Sequence, residues 1–345
     1  MTDKLIFGLD TFGDLNEDGS GGHVSSAQAI RNVVEQAVLA EEVGVDAVAL
    51  GEHHRPEYAI SSPETVLSAI AGRTSRIRLG SGVTVLSSDD PVRVFQRFST
   101  LDAVSSGRAE VILGRGSFTE SFPLFGYDLR DYEVLFDEKI DLFVKLLEEK
   151  PVTWSGTMRP ELVDADVYPK TDSGHLRTWV GVGGSPQSVV RTAHYGLPLM
   201  LAIIGGSPER FLPHIDLYKR AAEQFGTTAL PVGMHSPGFV ADTDEEAKDQ
   251  FFPRYKITRD RIGALRGWPP VTRREFEAEV AGGSMYVGSP ETVARKIADA
   301  MGTLDVGRFD LIYSAGPIPH DLLMRTVSLY GEKVVPMVKD ILGRD

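Results

Sequence analysis

The sequence predicts an α/β fold in which eight β-then-α units close into a (β/α)8 TIM barrel with insertions. Three observations support this prediction: short apolar runs recur along the chain, a helical pattern follows each run, and the helix boundaries are easily recognised. The runs are rich in Val, Ile and Leu without strict alternation, as expected of parallel strands buried on both faces. A doubly wound open sheet is the alternative. The predicted strands are Leu5–Asp10, Ala47–Leu50, Ile77–Val85, Ala109–Leu113, Thr178–Val182, Leu199–Ile204, Val232–Val240 and Phe309–Ser314.

Proline marks the predicted helix starts and glycine marks the predicted ends. At each start, a Ser or Asp that can cap the helix precedes a proline that suits its first turn. At each end, a glycine can adopt the left-handed conformation that closes a helix. The starts are Ser62-Pro63, Asp90-Pro91, Ser185-Pro186, Ser207-Pro208 and Ser289-Pro290, and the ends are Gly44, Gly107, Gly196 and Gly226.

We expect residues 1–345 to form a single domain with insertion loops at about 11–24, 153–177 and 260–284. The second insertion is expected to contain a small hairpin around Trp154-Ser155-Gly156. Long loops in a compact barrel are usually lids or binding loops, so the first and third insertions are candidate lids.

The composition excludes several classes of protein. A formal net charge of −13 argues against a nucleic-acid-binding surface, which requires a basic face. The absence of cysteine excludes disulfides, thiolate catalysis and cysteine-bound metals. The N-terminal segment lacks a signal-peptide pattern, and no apolar run approaches the ~20 residues of a membrane span. We therefore expect a soluble cytoplasmic protein with no nucleic-acid or membrane partner.

The candidate functional residues lie at the C-terminal ends of predicted strands, where barrel enzymes place their chemistry. In a barrel these residues surround one mouth. The second strand is followed by Glu52, His53 and His54, the third ends in Gly82, Val83 and Thr84, the fourth is followed by Gly114-Arg115-Gly116, and the fifth by Gly183-Gly184-Ser185.

Each of these groups has a functional and a structural interpretation. Imidazole is the commonest general acid or base near neutral pH, but His53 or His54 could instead hydrogen-bond a backbone carbonyl. Adjacent side chains on extended backbone point in opposite directions, which disfavours one shared metal ion. Arg115 either contacts an anionic or polar ligand or forms a salt bridge. The segment 183–185 either binds an anion at the N-terminus of the next helix or only caps that helix.

Several motifs fall in an order and spacing that resemble one family. They are Glu52-His53-His54, Leu79–Leu86, Asp90-Pro91-Val92-Arg93, Ser106-Gly107-Arg108, Gly114-Arg115-Gly116, Val182-Gly183-Gly184-Ser185, Val287–Val293 and Tyr330–Pro336. Over nearly its whole length the chain resembles the bacterial luciferase-like, flavin-dependent monooxygenases. The resemblance implies a (β/α)8 barrel that forms a homodimer and binds reduced FMN from a separate flavin reductase. The flavin would react with O2 to give a peroxyflavin, which oxidises a small organic substrate.

The resemblance also implies roles for individual residues. His53 would be the catalytic histidine, a general acid/base beside the flavin ring, with Glu52 and His54 at pocket positions. Gly82-Val83 would form a cis-type peptide under the ring, next to Thr84. No metal is implied. The flavin phosphate would be held by Arg115, Gly183, Gly184, Ser185 and Ser188.

Three positions depart from the light-emitting members of the family. Gly114 replaces a cysteine near the flavin, and Ile203 replaces a pocket tryptophan. Glu133 replaces a second phosphate-binding arginine, for which Arg130 is a candidate substitute. These departures argue against light emission and leave the substrate open. The alternatives are a hydride-transfer enzyme that uses a deazaflavin, a flavin-binding protein without turnover, and a metal-dependent barrel hydrolase.

Overall fold

The computed structural model describes residues 4–344, and this part of the chain contains eleven β-strands. They are β1 (Ile6–Thr11), β2 (Ala47–Leu50), β3 (Arg78–Val85), β4 (Ala109–Gly114), β5 (Val152–Trp154), β6 (Leu162–Ala165), β7 (Arg177–Val182), β8 (Leu199–Ala202), β9 (Val232–Val240), β10 (Tyr286–Gly288) and β11 (Arg308–Ile312).

Eight of these strands form a closed parallel barrel. Their order is β1-β2-β3-β4-β7-β8-β9-β11, and the pairing of β11 with β1 closes the barrel. This arrangement confirms the predicted (β/α)8 barrel and rules out the open sheet. All eight predicted strands are present, and their ends differ from the predictions by at most two residues. The short strand β10 was not predicted and pairs with the end of β9.

Twelve α-helices lie within residues 4–344, and none of them is long and apolar enough to cross a membrane. They are α1 (Ser26–Glu42), α2 (Pro63–Ala71), α3 (Pro91–Val104), α4 (Ser121–Leu124), α5 (Tyr132–Leu146), α6 (Pro186–His194), α7 (Leu212–Phe225), α8 (Asp244–Arg266), α9 (Arg273–Gly282), α10 (Pro290–Leu304), α11 (His320–Leu329) and α12 (Val335–Leu342).

Most of the predicted helix boundaries are confirmed. The side chains of Asp90, Ser185 and Ser289 accept backbone N–H groups of α3, α6 and α10. Ser62 makes no such hydrogen bond, and Pro208 begins a 3-10 turn instead of an α-helix. The four predicted terminal glycines all have positive φ, as a left-handed helix end requires.

The insertions differ in structure. The middle one contains the expected hairpin, formed by the antiparallel pair β5 and β6. Residues 260–284, expected to be a loop, instead form the end of α8 and all of α9. Thr272 and Glu275 form a capping box that starts α9, a local signal strong enough to define a helix in a polar segment.

A buried ionic cluster fills the N-terminal half of the barrel interior. The Arg308 guanidinium lies between Glu110 and Asp310, at 2.6 and 2.7 Å, and all three side chains are about 1% exposed. The indole Nε1 of Trp179 also donates to Glu110, at 3.2 Å. Burial alone would lower the pKa of Arg308, but the attraction of the two carboxylates raises it. The arginine is therefore charged, and it compensates two acids from different strands.

We predict that Arg308→Met lowers the free energy of unfolding by about 3–5 kcal/mol, because it leaves two buried carboxylates without a compensating charge. Urea unfolding would measure the loss. The matched control is Arg325→Met, which breaks an ion pair with Asp242 in which both side chains are about half exposed. Because water screens that pair, the control should leave the unfolding midpoint nearly unchanged. Equal effects of the two variants would contradict the role given to the buried cluster.

Candidate active site

The C-terminal ends of the barrel strands bring the predicted polar residues to one mouth. The chain can turn into the mouth after β2 because residue 51 is a glycine. A Cβ at Gly51 would lie 2.1 Å from the Phe12 ring and 2.9 Å from the carbonyl oxygen of Gly82. The close approach of these three segments fixes the path of the next residues, Glu52, His53 and His54.

The His53 imidazole lies in an aromatic cage formed by Phe12, Tyr58 and Phe118. It stacks on Tyr58 with ring centroids 4.8 Å apart, and it meets the edges of Phe12 and Phe118 at 4.7 Å. Its Nδ1 lies 3.1 Å from Oε1 of Glu120. Since a carboxylate accepts, this contact assigns the proton to Nδ1 and leaves Nε2 as the second functional atom.

Glu120 is a charged acceptor for this histidine. Burial opposes ionisation of Glu120, but the hydrogen bond with His53 and contacts with backbone amides lower the pKa of the carboxyl below its ordinary value. The sequence analysis missed Glu120. It lies six residues beyond the end of β4, outside the residues that directly follow a strand.

His54 has a different hydrogen-bond partner from His53 and is held by Glu52. Its Nε2 lies 2.9 Å from Oε1 of Glu52, whose Oε2 accepts the Val85 amide at 3.3 Å. The hydrogen bond to Glu52 raises the pKa of His54, against the effect of burial. The two imidazoles are therefore held by different carboxylates, Glu120 and Glu52. Within residues 4–344, no group of three or more His, Asp or Glu side chains could hold a metal ion.

The Gly82–Val83 peptide bond is cis, as the resemblance implied. The Val83 side chain points into the barrel and packs on Ile112, Trp179 and Met200. A Cβ at Gly114 would lie 2.4 Å from Cγ2 of Val83, so these two positions are complementary in size. This contact explains the Gly114 departure, because Val83 takes the space that a side chain at residue 114 would need.

Thr84 contributes little polar surface to the mouth. Its side chain is 1% exposed, and its hydroxyl donates to Ser81 at 2.8 Å. The role of Thr84 in cofactor binding stays a prediction. Ile203 is fully buried as well, and its amide is bonded to the carbonyl oxygen of His235.

A second acid–imidazole pair crosses the barrel interior just below the mouth. Nδ1 of His235 lies 2.7 Å from Oδ2 of Asp10, and the same carboxylate oxygen lies 3.4 Å from where a Cβ on Gly82 would be. The sequence analysis missed this pair because both residues lie within strands. The available signal was one ionisable residue in each of two otherwise uncharged strands, β1 and β9.

The opposite side of the mouth has features of an anion site. Apart from the adjacent residues in the chain, no heavy atom of residues 4–344 lies within 4 Å of where a Cβ on Gly183 or Gly184 would be, so the backbone there is open to a ligand. Ser185 caps α6 by accepting the amide of Ser188. The hydroxyl of Ser188 is buried and has no hydrogen-bond partner within residues 4–344. These features favour ligand binding over a purely structural cap.

The arginines near this anion site are arranged differently from what the resemblance implied. Arg115 forms a salt bridge with Glu133, and Arg191 of α6 contacts the same carboxylate. Arg130 does not replace the missing arginine, because its 89%-exposed side chain is paired with Asp128. Arg191, which the sequence analysis did not single out, lies in the second turn of α6.

A cleft of about 340 Å³ adjoins the His53 cage. Its walls include Asp14, Arg55, Glu57, Ile257 and Arg261, which come from the loops after β1 and β2 and from α8. Asp14 pairs through its backbone with Tyr58 of the cage. The cleft is large enough for a small organic molecule.

Comparison with known proteins agrees with this geometry. The family model described as luciferase-like monooxygenase matches residues 12–305. This chain belongs to the luciferase-like monooxygenase family. It is 28% identical over 323 residues to 4-hydroxyprotoasukamycin monooxygenase of Streptomyces nodosus subsp. asukaensis, covering 88% of this chain and 85% of that protein. The resemblance drawn from the motifs is therefore confirmed.

Solved structures share the fold over almost the whole chain. Monooxygenase RslO1 from Streptomyces bottropensis is 26% identical, with a TM-score of 0.83 and coverage of 96% of this chain and 99% of that one. The FMN complex of the oxygenating constituent of 3,6-diketocamphane monooxygenase from Pseudomonas putida is 20% identical, with a TM-score of 0.76 and coverage of 96% and 98%. The coenzyme F420-dependent tetrahydromethanopterin reductase from Methanopyrus kandleri is 18% identical, with a TM-score of 0.72 and coverage of 97% and 100%. The last two show a common fold alone.

We predict that Gly114→Ala destabilises the protein by about 1–3 kcal/mol, because the new methyl group overlaps Val83. The double variant Val83→Ala, Gly114→Ala should recover most of that loss, since it restores the space. Chemical denaturation of the two single variants and the double variant gives the coupling energy. Additive effects of the two substitutions would show that these side chains do not compete for the same volume.

Proposed function

We propose that this protein is an FMN-dependent monooxygenase, which uses reduced FMN and O2 to oxidise a small organic substrate. The observation that carries the proposal is the His53 imidazole, fixed by Glu120 and three aromatic rings at the barrel mouth, with Nε2 as its second functional atom. An enzyme that protonates or deprotonates a bound molecule needs a titratable group held in one orientation. Two further parts of this proposal rest on the resemblance. A separate reductase supplies the reduced flavin, and the protein forms a homodimer.

The residues of the mouth fit a flavin mononucleotide. Three features suit a phosphate group: the open backbone at Gly183 and Gly184, the guanidinium of Arg115, and the Ser188 hydroxyl, which has no partner in the described part of the chain. The Gly82–Val83 backbone between the two sides offers a surface for a planar ring. When bound, reduced flavin supplies the two electrons that activate O2, so that one oxygen atom enters the substrate and the other becomes water.

The side chains of this chain provide proton transfer and shielding. His53 holds or transfers a proton at Nε2, and Glu120 keeps the ring in the orientation that this requires. The aromatic cage excludes water from His53, and the cage is tied to α8 by Arg266. That side chain donates to the Ser117 carbonyl at 3.2 Å and lies 5.1 Å from the centre of the Phe118 ring. Exclusion of water matters because a flavin that activates O2 in a wet site releases hydrogen peroxide without oxidising the substrate.

The deazaflavin alternative is the second candidate, and its support is the fold shared with an F420-dependent reductase. The pair of imidazoles after β2 favours FMN. A flavin-binding protein without turnover has no need for a histidine oriented by a charged acceptor, which argues against that alternative. A metal-dependent hydrolase is disfavoured by the lack of converging ligands within residues 4–344.

The first test follows the reaction of bound flavin with O2. The protein is mixed anaerobically with reduced FMN and then with O2, and the flavin absorbance is recorded by stopped flow. We expect oxidised FMN to form more slowly than from free reduced FMN, because the site protects the bound flavin from water. A rate equal to that of free FMN would overturn the proposal. Hydride transfer between a deazaflavin and a carbonyl or alcohol substrate would then be tested.

We predict that His53→Ala reduces the yield of oxidised product per reduced flavin by about 100-fold, because it removes the acid/base group. Single-turnover reactions with a panel of small organic substrates would measure the yield. Glu120→Gln should have a smaller effect, since it keeps an acceptor but removes the charge. Affinity for FMN should change little in either variant.

The control for these variants is His175→Ala. His175 is an exposed residue just before β7, at the opposite end of the barrel. This variant should match the parent protein in yield and affinity. A His53 variant that loses FMN binding and product together would indicate a structural role for the histidine.

A further inference from the structure

Two arginines at the barrel mouth share one carboxylate. Nη1 of Arg115 lies 2.5 Å from Oε1 of Glu133, and Nη2 of Arg191 lies 3.4 Å from Oε2 of the same residue. The arginine side chains are 22% and 13% exposed, whereas the Glu133 side chain is 61% exposed. The carboxylate therefore reaches in from solvent between two guanidinium groups that are mostly enclosed by protein.

The two guanidinium groups are supported independently of Glu133. They lie over the rings of Tyr132 and Phe136, which are one turn apart on α5, with carbon-to-centroid distances of 5.3 and 5.4 Å. Asp137 of the same helix accepts Nε of Arg191 at 2.5 Å. Because the ring faces and Asp137 hold the cations, loss of the Glu133 contact would leave both groups in place.

Two polar groups on α6 are left without partners in this arrangement. Nη1 of Arg191 and the hydroxyl of Ser188 are both buried and unbonded within residues 4–344, and they lie three residues apart on the same helix. Buried polar groups normally have hydrogen-bond partners, and the carboxylates of Glu133 and Asp137 leave these two groups unsatisfied. A phosphate group carries more acceptor oxygens and more negative charge than a carboxylate, and the backbone at Gly183 and Gly184 leaves room beside it.

We infer that Arg115 and Arg191 are the pair of cations that binds the flavin phosphate, and that Glu133 is a displaceable carboxylate occupying this pair until phosphate enters. The inference rests on the proposed function, because it concerns the same flavin site. The second phosphate-binding cation is then Arg191 on α6, and not an arginine at position 133 on α5. Displacement frees Glu133 into solvent, where its exposed side chain is readily hydrated.

This arrangement has a consequence for ligand choice. A ligand with a phosphate gains two guanidinium contacts but must replace the Glu133 carboxylate, so its affinity is lower than the two cations alone would give. A flavin without phosphate neither gains these contacts nor needs the exchange. Glu133 therefore changes the affinity for FMN but not the affinity for riboflavin, whereas residues that contact the flavin ring change both affinities.

The test compares the binding of oxidised FMN and riboflavin to the whole protein by flavin fluorescence. Arg191→Gln should weaken FMN binding roughly 10- to 100-fold, as expected for loss of a charged hydrogen-bond partner, and should leave riboflavin unchanged. Glu133→Gln should tighten FMN binding several-fold, again without an effect on riboflavin. Arg130→Gln is the control, since this nearby arginine is exposed and should change neither affinity.

Three outcomes would overturn the inference: equal weakening of FMN and riboflavin by Arg191→Gln, unchanged FMN affinity in that variant, or FMN binding in Glu133→Gln that is no tighter than in the parent. If the parent protein binds neither of these flavins, nor reduced FMN under anaerobic conditions, the proposed function fails and the arginine pair is tested with inorganic phosphate. Phosphate should then raise the melting temperature of the parent protein, raise it further in Glu133→Gln and leave Arg191→Gln unchanged. The absence of any stabilisation by phosphate would overturn the inference too.

Discussion

The barrel depends on one constraint, which is that buried carboxylates have to compensate the charge of Arg308. Its guanidinium lies inside the closed sheet, where water cannot solvate it, so acids from β4 and β11 must approach within hydrogen-bond distance. Neighbouring strands have to leave space for this cluster. A Cβ at Gly8 would lie 2.3 Å from an oxygen of Asp310, and one at Gly80 would lie 3.3 Å from an oxygen of Glu110. Gly8 and Gly80 therefore leave room for the two acids of the cluster.

The groups that stabilise the barrel and the residues of the candidate site lie at different levels along the barrel axis. The ionic cluster and Trp179 fill the N-terminal half, and the pair of Asp10 and His235 lies above them, beside Gly82. Above this level the side chains belong to loops and to helix α6, outside the sheet itself, and loop conformations depend less on closure of the sheet. His53, Glu120 and Arg191 can therefore be arranged for a ligand without disturbing the compensated charges below.

Local signals in the sequence were sufficient for the strands, most helix boundaries and the position of the mouth. Apolar runs define buried strands, and proline and glycine define helix ends, since each depends on neighbours in the chain alone. The cis peptide at Gly82–Val83 came from the resemblance and not from composition. The helix α9 was missed because its capping box was overlooked in a polar segment. Contacts between distant residues could not be deduced: Asp10 and His235 are 225 positions apart, and Arg191 is 58 positions from Glu133.

The acidic composition gives a physical reason for the paired cations at the mouth. With 49 acidic and 36 basic residues, an anionic ligand approaches a molecule that repels it overall, so only local cations can hold it. Two of these cations already have carboxylate partners, Arg115 with Glu133 and Arg191 with Asp137. Binding a phosphate there exchanges one anion for another and does not neutralise free positive charge. Such an exchange would limit the affinity while keeping the geometry of the site, and this suits the proposed use of FMN, which would arrive reduced and leave oxidised in every cycle.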